Sequence, residues 1–158
     1  MKKPVCLITG ATDGVGKATA IELAKAGFAV VVAARSANKA EALRREIEAA
    51  TGNTSTDYII ADLASLRHVR QLAETFHRRY ATLDVLLNNA GTLLSTRTET
   101  EDGYEMTYQL NYLSHFLLTN LLLEKLKQSE QGRIINLTSN VYSIGKFDPG
   151  NLTRIERS

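Results

Sequence analysis

The chain has 158 residues, 44% hydrophobic and 23% charged, with a formal net charge of +2 and a single cysteine. That length holds one domain with a real core, and so small a charge argues against a nucleic-acid partner. Cys6 alone excludes an intramolecular disulfide or a cysteine-based metal centre, and His68, His77 and His115 lack ligand spacing, so no metal is expected.

Two lysines precede the first apolar run, VCLI (5–8). Thr9 and Gly10 interrupt it before it reaches the length of a secretory signal. The longest greasy stretch, FLLTNLLL (116–123), falls far short of a membrane span. The expectation is a cytoplasmic protein of a reducing compartment, with no membrane segment.

VCLI reads as a buried strand ending at a glycine. Residues 15–27 carry Val15, Ala18, Ile21, Ala24 and Ala26 at helical spacing, with Gly27 as a stop. FAVVVAA (28–34) is a β-branched strand, and 38–50 a run of helix formers with Leu43 and Ile47 one turn apart. DYIIADL (57–63) reads as another buried strand. The helix over 65–80 opens on Ser65 as cap and repeats Leu66, Val69, Leu72, Ala73 and Phe76. LDVLLNNAG (83–91) is a strand ending in polar residues. A long helix follows over 103–128, then a last strand, RIINLTS (133–139). Unbroken apolar strands alternating with helices predict an α/β fold: a doubly wound parallel sheet of five strands with helices on both faces.

TGATDGVGKATA (9–20) joins the first strand to the first helix, with Gly10, Gly14 and Gly16 in G-x-x-x-G-x-G spacing. Glycines there permit a tight turn, close approach to a pyrophosphate, and close helix–strand packing. The helix N-terminus adds N–H donors and partial positive charge. Gly10, Thr12, Asp13, Gly14, Val15 and Gly16 are therefore candidate phosphate-binding residues; the alternative is a glycine-rich turn with no ligand. Ala18 stands where a nucleoside triphosphatase needs a Mg²⁺-binding hydroxyl, so that class is disfavoured. After the second strand come Ala34, Arg35 and Ser36, with no carboxylate to accept from a ribose 2′-hydroxyl. Arg35 would attract a 2′-phosphate, which predicts NADP over NAD; otherwise it is a solvated surface charge. Asp62 is placed to accept from an adenine amino group or to cap the helix near Ser65.

TGATDGVG, ADL (61–63), NNAG (88–91), Asn111 and INLTS (135–139), in that order, resemble the short-chain dehydrogenase/reductase family. NYLSHFLLTNLLL (111–123) and GKFDPGNL (145–152) are most similar to its retinol-dehydrogenase-like branch. The resemblance implies a Rossmann fold and an oxidoreductase moving hydride between nicotinamide and an alcohol, aldehyde or ketone. It implies that Asp62 and Leu63 line the adenine pocket. Asn88, Asn89, Ala90 and Gly91 would support the sheet and face the cofactor ribose. Asn111 would hold a water of a proton relay, and Ser139 would hydrogen-bond the substrate oxygen. Family members dimerise through the helix corresponding to 103–128, so a homo-oligomer is expected.

The family also needs a Tyr-x-x-x-Lys pair. Tyr142 and Lys146 have that spacing but follow Ser139 too closely, with Gly145 between them and Pro149-Gly150 soon after. The pair is read as accidental. Residues 1–158 are then one dinucleotide-binding domain, incomplete at its C-terminus, and little activity is expected of them alone. The competing reading is a non-catalytic dinucleotide-binding module.

Overall fold

In the computed structural model, which describes residues 3–140, strand β1 (Val5–Thr9) is buried along its whole length. It lies between β2 (Ala29–Ala34) and β4 (Val85–Asn88), with Leu7 paired to Val31 on one side and Leu86 on the other. β3 (Thr56–Ile60) extends the sheet beyond β2, and β5 (Arg133–Asn136) beyond β4. The order is β3-β2-β1-β4-β5, all parallel, so the chain reverses direction across the sheet at β1 and β4.

Successive side chains of a strand point to opposite faces, and β2 feeds two cores. Val30, Val32 and Ala34 pack with Ala20, Ala24, Ala40, Leu43 and Ile47 of helices α1 (Gly14–Lys25) and α2 (Ala37–Thr51). Val31 and Ala33 pack with Val69, Leu72, Phe76, Leu118 and Leu122 of α3 (Leu66–Arg79) and α5 (Ser114–Lys127). Each buried Val or Leu contributes about 1.5–3 kcal/mol of transfer free energy. Both faces of the central sheet are covered, as a doubly wound fold requires.

Several expected features are corrected. The buried stripe of α1 is Gly16, Ala20 and Ala24. Val15 is 63% exposed, and Ala18 and Ala26 also face outward. A stripe of the smallest residues lets the helix sit close to the sheet, and that contact sets its rotation. β3 stops at Ile60, which is 47% exposed, because β3 is an edge strand with one partner. Its Asp57 accepts from Arg79 Nη1 at 3.2 Å and from Tyr80 Oη at 2.6 Å. β5 is exposed throughout and ends at Asn136, so two-sided burial holds for the central strands only.

The long helix begins at Met106, not 103. Gly103 has φ +81°, outside helical space, and the Glu105 carboxylate caps by accepting from Thr107 N at 3.0 Å and Tyr108 N at 2.8 Å. A single turn, α4 (Met106–Tyr108), runs into a widened π turn over Gln109–Leu113, where Ser114 N–H reaches Gln109 O five residues back. Gln109 is fully buried; its Nε2 donates to Asp102 Oδ2 at 2.7 Å and Ala64 O at 2.9 Å. The helix is buried on one side rather than several. Tyr112 and Phe116 are 54% and 59% exposed and continue from Tyr108 as a ladder of neighbouring rings.

Candidate functional site

The carboxyl ends of parallel strands, at the point where strand order reverses, are where this architecture places ligands. There the structure opens a cavity of about 680 Å³. Gly10, Thr12, Asp13, Gly14, Val15 and Gly16 form one side. Arg35, Asp62 and Leu63 close the end above β2 and β3, and Asn89, Ala90 and Gly91 form the other side. Of the residues the sequence suggests for dinucleotide contact, all of these lie on this one surface, and Asn88 does not.

The glycines have steric reasons that can be read off directly. Gly10 and Gly14 hold φ of +67° and +54°. A Cβ on Gly10 would stand 2.7 Å from Ala90 Cα, and one on Gly16 would stand 2.5 Å from Gly10 O. The loop therefore folds back on the β4 turn with no room for side chains. Asp13 caps α1 by accepting from Gly14 N at 2.7 Å. That removes one of the N–H donors expected to face a phosphate and sets a carboxylate beside the loop.

Two side chains weld β1 to β4. Thr9 Oγ1 accepts from Asn89 N and Ala90 N, both at 3.0 Å. Asn89 Nδ2 donates to Thr9 O at 2.9 Å and Gly10 O at 3.0 Å. Asn88 points the other way, donating to Asn136 Oδ1 at 2.8 Å and Thr119 Oγ1 at 3.1 Å. The expectation is that all four residues 88–91 both support the sheet and face the cofactor; in the structure Asn88 ties β4 to β5 and α5, and Asn89 lines the cavity. Asp62 Oδ1 accepts from Ala64 N at 3.0 Å, closing the turn into α3, while Ser65 itself provides the helix cap. Of the two readings of Asp62, helix capping falls to Ser65, and Asp62 borders the cavity.

A second cavity of about 590 Å³ adjoins the first and shares Asn89, Ala90, Gly91 and Thr92 with it. It brings together Asn111, Thr138 and Ser139, which lie 27 to 28 positions apart in the chain, and adds Leu93 and Leu137. Asn111 is exposed, and its amide is engaged at both ends. Thr92 N donates to Oδ1 and Nδ2 donates to Thr92 O, each at 2.8 Å. Its side chain thus clamps the chain after Gly91. Tyr142 and Lys146 lie outside the described residues. Tyr80 is a poor acid–base candidate, since burial and then the Asp57 hydrogen bond raise its pKa.

Sequence reasoning missed Thr9 as an anchor, His115 as a partner of Thr9, and the apolar wall of Leu94, Met106 and Leu110. A signal existed for the first: a hydroxyl ending an otherwise apolar buried strand needs a partner. Met106 and Leu110 are one helical turn apart, but which way that turn faces is a tertiary matter.

A glycine loop between strand and helix at the reversal point of a parallel sheet is a Rossmann fold. The chain belongs to the short chain dehydrogenase family, whose model matches residues 4–147. It is similar to retinol dehydrogenase 11 of Mus musculus, 43% identical over 148 residues, which are 94% of this chain and 47% of that protein. Retinol dehydrogenase 13 of Homo sapiens is 44% identical over 142 residues, 90% of this chain and 43% of that one. A crystal structure of a short chain dehydrogenase from Shigella flexneri 2a str. 301 complexed with NADP superimposes with a TM-score of 0.78 at 29% identity, covering 92% of this chain and 63% of that chain. The chain spans about half the length of the curated relatives it matches.

Proposed function

We propose that the chain forms the dinucleotide-binding part of an NADP-dependent oxidoreductase acting on a small alcohol, aldehyde or ketone. One observation carries the reading: the glycine loop, Arg35, Asp62-Leu63 and Asn89-Ala90-Gly91 converge on a single cavity at the reversal point. The cradle fits the group. Gly10 and Gly16 let the loop fold tightly against Ala90 and itself, and Gly14, where a Cβ would meet no protein atom within 4 Å, leaves open space beside the helix N-terminus for a pyrophosphate. Leu63 and Ala61 offer apolar surface to an adenine, and Arg35 offers charge to a 2′-phosphate.

Nicotinamide, when bound, supplies the hydride chemistry. The chain's own residues hold and orient. Ser139 borders the second cavity, where it would hydrogen-bond the substrate oxygen, and Asn111 secures the wall through Thr92. Leu93 and Leu137 give that cavity an apolar side suited to a hydrocarbon substituent. NADP-bound structures among the similar proteins support the cofactor choice. Among the described residues no helix is long and apolar enough to cross a membrane. The exposed Tyr112 and Phe116 support self-association through this helix, and the buried free Cys6 fits a reducing compartment.

Titration of the purified chain with NADPH and with NADH, followed by nicotinamide fluorescence, tests the reading. NADPH is expected to bind more tightly than NADH. Indifference to both at saturating concentration would overturn it. Binding without turnover of an aldehyde and ketone panel would fit either the non-catalytic module or a fragment of the longer enzyme.

A further inference from the structure

The cofactor reading gives no task to His115, yet its placement is specific. The residue is 9% exposed, and its Nε2 lies 3.3 Å from Thr9 Oγ1. A hydroxyl oxygen has two lone pairs and one proton. Both lone pairs of Thr9 are taken, by Asn89 N–H and Ala90 N–H at 3.0 Å each. The proton is all that remains, and it can go to His115 Nε2 at 3.3 Å or Leu87 O at 3.5 Å. A protonated Nε2 would face an oxygen with no lone pair left. Nε2 is therefore the bare nitrogen.

With Nε2 bare, a neutral ring carries its proton on Nδ1. Burial lowers the pKa of the ring, in keeping with a neutral imidazole.

We propose that His115 is a positioning residue: as the Nδ1-protonated neutral imidazole it accepts from the Thr9 hydroxyl and so ties helix α5 and the Asn89–Ala90 turn into one hydrogen-bonded unit. This unit sets the wall shared by the two cavities, and the inference rests on the proposed NADP reading of that wall. Ala90 has little freedom, since it packs against Gly10 where a Cβ would already collide. A small shift of the turn therefore closes the phosphate loop or opens it.

The ¹⁵N shifts and couplings of the His115 imidazole in the full chain, together with NADPH titration of variants, test this. The proton is expected on Nδ1. His115→Ala is expected to weaken NADPH binding about tenfold, through a cavity beside Thr9 and a hydroxyl left with only the long Leu87 O contact. His115→Gln, which keeps a donor and an acceptor, should bind within about threefold of the natural chain, and His115→Leu, which only fills space, should resemble His115→Ala. Thr9→Val should weaken binding, and adding His115→Ala to it should add little. A proton on Nε2, a charged ring at neutral pH, or His115→Leu binding as well as His115→Gln would overturn the proposal. Where an apolar variant fails to fold, the tautomer decides. A natural chain that ignores NADPH would defeat the cofactor reading, while the tautomer would still judge the hydrogen-bonded unit.

Discussion

Gly16 faces Gly10 so closely that a Cβ on Gly16 would lie 2.5 Å from Gly10 O and 3.0 Å from Ala11 Cα. Both neighbours are backbone, so neither yields cheaply. Gly16→Ala is expected to destabilise the fold by about 1–3 kcal/mol through overpacking, although alanine is the better helix former. Urea unfolding measures the loss, and NADPH affinity should fall with it. Gly27→Ala separates this effect from backbone strain. At φ +90° it is also strained, but a Cβ there meets nothing within 4 Å, so NADPH binding should survive.

Arg35 borders the dinucleotide cavity just past the end of β2, where no carboxylate stands. A charge-assisted hydrogen bond at an exposed site contributes about 1 kcal/mol, roughly fivefold in affinity. Arg35→Ala should weaken NADPH by about that factor and leave NADH nearly unchanged. Arg35→Asp should reverse the preference. Equal losses for both dinucleotides would remove Arg35 from cofactor selection.

The rings of Tyr112 and Phe116 lie 6.2 Å apart and are more than half exposed. Under the proposed self-association, this apolar face is the contact surface. Sedimentation of the natural chain should show a self-associated species, and Phe116→Lys should shift it toward monomer. A natural chain that stays monomeric at high concentration would end the oligomer expectation.

Burial pushes the Cys6 thiol up to about 12 from its ordinary 9.0. The folded chain keeps the thiol protonated where the unfolded chain has lost its proton. The stability linked to Cys6 is therefore complete below pH 9 and falls as pH rises toward 12. Cys6→Ala should show a shallower alkaline decline in urea midpoints. Thiol reagents should label the natural chain only on unfolding.

The strand and helix sequence was legible because burial leaves a periodic imprint. Leu43 and Ile47, or Val69, Leu72 and Phe76, had to face a core wherever the helices packed. The glycine loop was legible for a related reason: three glycines between a strand and a helix have few uses. Asn89, Ala90 and Gly91 were found through motif order rather than through any property of their own. The helix start at 103 was misplaced because Glu105 caps it, a residue that elsewhere would read as helix interior.

Local pattern, then, determined the α/β class, the parallel sheet and the phosphate-loop candidates, since apolar period and glycine spacing act within a few residues. Which strand lies at an edge, which face of α1 meets the sheet, and that Thr9, Asn89 and His115 share one set of hydrogen bonds were decided only by tertiary structure. Those contacts join positions about 80 and 106 residues apart, and no local rule reaches so far.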